Sequence, residues 1–150
     1  MRRFLAGLAA LLGLSGFAHA DVVPSVGIEY GQPVGFAAEG RLTTLNDQAL
    51  AFEAGLHLGT KGGKVTLGAA HWNNHLGVVS LRLAGVRTWN RDTAGRTYVG
   101  LELGYSLLYF ISADVGLLIP GGAGSKGAVF SWTIGIGLPL IHFGAVPGMH

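Results

Sequence analysis

Across positions 132–140 every even-numbered residue is large and apolar: Trp132, Ile134, Ile136, Leu138 and Leu140. The odd-numbered positions hold Ser131, Thr133, Gly135, Gly137 and Pro139, all small or polar except the proline. Successive side chains leave a strand on opposite faces, so a period of two belongs to extended backbone with two chemically different faces. The chain must therefore form a sheet, and the question becomes which face meets water.

The same alternation recurs along the chain. It predicts eight strands, over 22–30, 34–42, 49–59, 64–71, 76–89, 96–107, 111–119 and 128–143. Turn chemistry separates most of them. Gly31-Gln32-Pro33 and Thr60-Lys61-Gly62-Gly63 read as tight hairpins, and 120–127 is a glycine-rich hairpin. Only 107–110, between the sixth and seventh segments, carries no turn residue. Eight hairpin-linked strands of similar length predict an all-β fold, an eight-stranded antiparallel up-and-down barrel, because closure removes exposed sheet edges.

The first residues read differently. Arg2 and Arg3 precede an apolar run over 4–14, and Ala18-His19-Ala20 supplies a small-x-small cleavage pattern. The run is too short to span a bilayer as a helix, so 1–20 reads as a cleaved signal peptide. The barrel is expected over 21–143, with a short tail over 144–150. Without Arg2 and Arg3, eight basic residues balance eight acidic ones. A neutral mature chain gives no reason to expect a nucleic-acid partner. Cysteine is absent from the sequence.

Three features point the apolar face outward, into lipid. First, the opposite face is mostly Gly, Ala and Ser, which suits the crowded interior of a small barrel better than a solvated surface. Charged residues make up only 12% of the chain, against roughly 25% in typical soluble domains. Second, the charges on that face come in both signs: Glu29, Glu39, Glu53, Glu102 and Asp114 with Arg41, Lys64, Arg82 and His57. Such a set can form an internal ion-pair network, and buried charges persist only when paired. Third, Tyr30, Phe36, Phe52, Trp72, Trp89, Tyr98, Tyr109, Phe110, Phe130, Trp132 and Phe143 fall at or near strand ends. Strand centres are aliphatic. Two aromatic girdles around an aliphatic band mark a transmembrane β-barrel.

In these features the chain resembles the small eight-stranded outer-membrane barrels of Gram-negative bacteria, of the OmpA-domain and OmpX kind. The resemblance implies a monomeric transmembrane β-barrel in the outer membrane, inserted by the outer-membrane assembly machinery. It implies architecture and location more than activity; a structural or surface-binding role in the envelope without catalysis is the default expectation. Barrels of this class end on an outward-facing aromatic. Here that residue would be Phe143, which is off parity with 132–140 unless a bulge near 139–141 resets the alternation.

With the N-terminus in the periplasm, the basic residues Lys61, Lys64, Arg87, Arg91, Arg96 and Lys126 would fall at the outer end. Cations there would pair with phosphates of lipopolysaccharide. One stretch has enzymatic interest. The lipid A deacylase barrels carry a His-aromatic-Ser-Asn sequence, and His71-Trp72-Asn73-Asn74-His75 is similar to it. Asn73 stands where the nucleophilic serine would be, leaving His71 no hydroxyl to activate. His71 and His75 could also be two metal ligands, but a third is not apparent. No cofactor is expected. Two alternatives remain: a lipid A-modifying enzyme using His71 or His75, and a soluble periplasmic ligand-binding barrel with the faces inverted.

Overall fold

The computed structural model describes residues 21–45, 50–73, 77–89, 95–107, 110–122 and 127–140; for Asp21, Leu45, Trp72 and Asn73 the backbone alone is described. The expected signal peptide, the tail over 144–150 and Phe143 lie outside the described residues.

The strands are β1 (Asp21–Gln32), β2 (Gly35–Leu45), β3 (Leu50–Gly59), β4 (Gly62–Asn73), β5 (Gly77–Thr88), β6 (Thr97–Leu107), β7 (Ile111–Pro120) and β8 (Val129–Pro139). Each pairs antiparallel with its neighbour in sequence, and β8 returns to pair with β1, closing the barrel. The seam runs from Ser25↔Pro139 to Gln32↔Trp132. The turns β1–β2, β3–β4, β5–β6 and β7–β8 share one end, the hairpin rim. The start of β1 and the end of β8 share the other, the terminal rim. At the hairpin rim neighbouring turns are tied together: Lys61 N donates to Val34 O (2.9 Å) and Trp89 N to Lys61 O (3.0 Å).

Alternation is kept in every strand, and it sorts the residues sharply. Leu67, Leu83, Leu101 and Leu117 form one row of cross-strand partners over β4 to β7. All four point outward and are more than half exposed. One step away on the inward face runs another row: Glu53, Gly68, Arg82, Glu102, Gly116 and Ser131, over β3 to β8. Glycine opposite a long charged side chain is a space requirement. A Cβ on Gly116 would lie 2.7 Å from Glu102 Cγ.

The interior is layered. Near the hairpin rim, Val34, Ala37, Ala84, Val86, Tyr98 and Leu118 form a buried apolar cluster. Ala51, Ala70 and Val78 form a smaller one toward the terminal rim. The charged residues lie between these layers along the strands.

Two residues depart from the sequence reading, and two further details bear on points it left open. Val34, which by the parity of the predicted strand 34–42 would share the outward face of Phe36 and Leu42, is fully buried. Gly35 explains it: its φ of +82°, a left-handed turn conformation that glycine tolerates, starts β2 one residue later and leaves Val34 pointing in. Tyr98, counted among the girdle aromatics, is 3% exposed and belongs to the interior cluster. The join between β6 and β7 closes without a glycine or proline, through Phe110 N donating to Leu107 O (3.0 Å). In β8 no bulge interrupts the alternation as far as Leu140, which is exposed; 141–143 lie outside the described residues.

Candidate functional site

The strand period puts nine ionisable side chains on the inward face, and closure brings them together from seven of the eight strands. Glu29 (β1), Glu39 and Arg41 (β2), Glu53 and His57 (β3), Lys64 (β4), Arg82 (β5), Glu102 (β6) and Asp114 (β7) are buried or nearly so. β8 contributes Ser131 and Thr133 as hydroxyl donors.

Three linked groups result. In the first, Arg41 Nε donates to Glu39 Oε1 (2.7 Å), with Glu53 Oε1 3.9 Å from Arg41 Nη1. In the second, Lys64 Nζ donates to Glu102 Oε2 (3.2 Å) and lies 3.9 Å from Glu29 Oε1. His57 Nδ1 is 2.9 Å from that same Glu29 oxygen. Ser131 Oγ donates to Glu102 Oε1 (2.6 Å), with Gln32 O also within reach at 3.2 Å. In the third, Arg82 Nη2 pairs with Asp114 Oδ1, and Thr133 Oγ1 donates to Asp114 Oδ2 (3.0 Å). Removing two charges from water is expensive, and only attraction at close range plus further hydrogen bonds repays it. The second and third groups have that form. Glu53 Oε2, His57 Nε2, and Arg82 Nε and Nη1 have no hydrogen-bond partner among the described residues.

Glu29, Glu39 and His57 each place a ligand-type atom within 4.8 Å of the others, the one such metal-capable group among the described residues. Their surroundings oppose a metal ion. Arg41 already neutralises Glu39, and Lys64 sits beside Glu29, so an added cation would meet two fixed positive charges. Toward the terminal rim, Ser25, Glu39, Arg41, Ser106, Ser112 and Gly137 line a crevice of only about 20 Å³, room for about one water.

Lys64 therefore belongs to the interior, and its place among the outer-end cations is corrected. Its amine is buried against Glu102, because the residue shares the parity of Thr66 and Ala70, not that of Val65. Lys61 and Arg87 are exposed at the hairpin rim and Arg96 is half-buried there; Arg91 and Lys126 lie outside the described residues. Arg87 is the one formally charged side chain at an outward strand position among the described residues.

Outward aromatics fall in two bands. Tyr30, Phe36, Trp89 and Phe130 are exposed near the hairpin rim, and Trp132 meets Tyr30 edge-on (5.9 Å, 71°). Phe52, Tyr105 and Phe110 are exposed near the terminal rim. The side chain of Trp72 and all of Tyr109 lie outside the described residues. His71 faces outward from β4 and is exposed; His75 lies outside the described residues.

The fold and site together define a closed eight-stranded up-and-down antiparallel barrel with charges inside and an apolar exterior. No family model matches the chain, and no curated protein or solved structure matches it.

Proposed function

We propose that the chain is an integral outer-membrane protein of structural or surface-binding role, a transmembrane barrel with a filled polar interior and no catalytic function. One observation carries this reading. The polarity of a soluble barrel is inverted: nine ionisable groups are packed inside, while Leu67, Leu83, Leu101, Leu117 and their neighbours face out around the barrel. Contiguous apolar patches on soluble monomers rarely exceed a few hundred Å², whereas here the apolar surface encircles the molecule. Strands of 10 to 12 residues, rising about 3.3 Å per residue and tilted about 40°, would cover about 25–30 Å, close to the apolar band of outer-membrane barrels. The two aromatic bands fit its two interfaces.

Eight strands leave no open aqueous channel, and the apolar cluster beneath the hairpin rim supports a plugged lumen. With the N-terminus in the periplasm the hairpin rim faces outward, so Lys61, Arg87 and Arg96 would meet phosphate groups of lipopolysaccharide. The enzymatic alternative rests on His71, which faces away from every charged group of the interior.

Fractionation tests the reading. The protein should sit in the outer-membrane fraction, and its detergent extract should change gel mobility on boiling, as a folded barrel unfolds. Recovery in the soluble periplasm would refute it.

A further inference from the structure

The outward surface is not uniformly covered. Four outward strand positions among the described residues are glycine: Gly40, Gly63, Gly77 and Gly85. Two of them lie diagonally on adjacent strands, since Gly63 pairs with Arg87 and Gly85 with Val65. Missing side chains there leave a groove of about 380 Å³ on the outer face of β3 to β6. Its walls are Leu56, Val65 and Val99, and Arg87 lies at its hairpin-rim end. The Trp89 indole lies over Gly63: a Cβ there would come 3.0 Å from it. The groove is thus an open apolar depression whose hairpin-rim end carries the one outward strand charge, with Lys61 exposed in the adjoining turn.

We infer that this groove seats one acyl chain of a phospholipid with net negative charge, with Arg87 binding the lipid phosphate. The inference rests on the membrane reading above. Charge complementarity selects this occupant. A hydrocarbon chain matches the apolar depression, and a volume of this size lies in the range of small-molecule sites. The guanidinium at the interface end then meets the one anionic part of the same molecule, in the bidentate geometry that arginine offers phosphate. A neutral or zwitterionic headgroup would gain less from it.

The test uses the purified full barrel in mild detergent, with lipid binding read by native mass spectrometry. The probes are phosphatidylglycerol and phosphatidylcholine of identical chains. Wild type should bind a single phosphatidylglycerol about fivefold more tightly than phosphatidylcholine, the preference expected from one arginine near an anionic surface. Arg87→Gln should remove that preference. Gly85→Leu should weaken binding of both lipids about tenfold by occupying the groove. The leucine fits the fold, since a Cβ at Gly85 would meet only Val65 Cγ2, at 3.4 Å. Equal binding of the two lipids by wild type, unchanged binding in Gly85→Leu, or a protein dimer in place of bound lipid would each overturn the inference. Boiled and unheated samples of every variant run alongside. A heat-shifted, outer-membrane wild type with no groove effect sinks the lipid site alone. A soluble wild type with no shift sinks the membrane reading, and the site with it.

Discussion

Lys64→Met separates an interior cation from a surface one. The amine is 1% exposed by residue and lies 3.2 Å from Glu102 Oε2. At an effective dielectric of about 20, that distance corresponds to an attraction of about 5 kcal/mol. Methionine has similar length and no charge, so the substitution removes the attraction while nearly preserving volume. Glu102 keeps its Ser131 hydrogen bond (2.6 Å), and Glu29 keeps His57; both soften the loss. Breaking one side of a buried pair costs about 3–5 kcal/mol, and the lower half of that range is expected here. With a urea dependence of about 2 kcal/mol per molar, the unfolding midpoint should fall by about 1.5–2 M. Glu102→Gln in the Lys64→Met background should recover about half of the loss, because the stranded carboxylate is neutralised. The assay is urea unfolding of barrel refolded in lipid vesicles, followed by tryptophan fluorescence and by gel mobility. A loss below about 0.5 kcal/mol, typical of an exposed position, would refute the interior placement. Strict additivity of the two substitutions would refute the pairing.

Three further outcomes follow from the same geometry. Leu101→Arg, at the middle of the outward row, should destabilise the barrel in vesicles by about 2–4 kcal/mol, the cost of a cation at mid-bilayer; a shift near zero would mean that this face meets water. Leu118→Ala, in the cluster beneath the hairpin rim, should cost about 2–5 kcal/mol by urea unfolding, whereas a loss under about 1 kcal/mol would show a loosely filled lumen. Replacing His71 and His75 together with alanine should leave the lipid A composition of intact cells unchanged by mass spectrometry; an altered acyl pattern would establish the enzymatic alternative.

The strand count and their up-and-down order were legible because period-two alternation is a property of consecutive residues. The same parity assigned all nine interior ionisable residues to one face. Their partners were not legible. Lys64 meets Glu102 across 38 residues and Arg82 meets Asp114 across 32, and such distances are set by barrel closure and stagger, not by local pattern. Lys64 sat under two readings because its place near a hairpin suggested the outer end, while its parity put it inside; parity decided. Val34 departs from the parity of the strand that follows it because the turn at Gly35 shifts the alternation by one residue. The outer groove had a local signal in Gly63 and Gly85, but two outward glycines make a groove only when the register sets them side by side.

The seam between β1 and β8 sets the order in which this chain can become stable. The other seven ladders each join strands that follow directly in sequence, so each can zip from its own turn. The seam joins residues about a hundred positions apart; Ser131 Oγ reaches Gln32 O across 99. Loop-closure entropy rises by about 0.6 kcal/mol with each doubling of length, so this ladder has the largest nucleation barrier. Ser131 and Thr133 of that strand are also the hydroxyl donors to Glu102 and Asp114. Until the final strand docks, two sheet edges are open and two lumen carboxylates each lack one of their donors. An incomplete chain therefore gains little from the strands it already has, and folding is driven toward all or none by its last eleven paired residues.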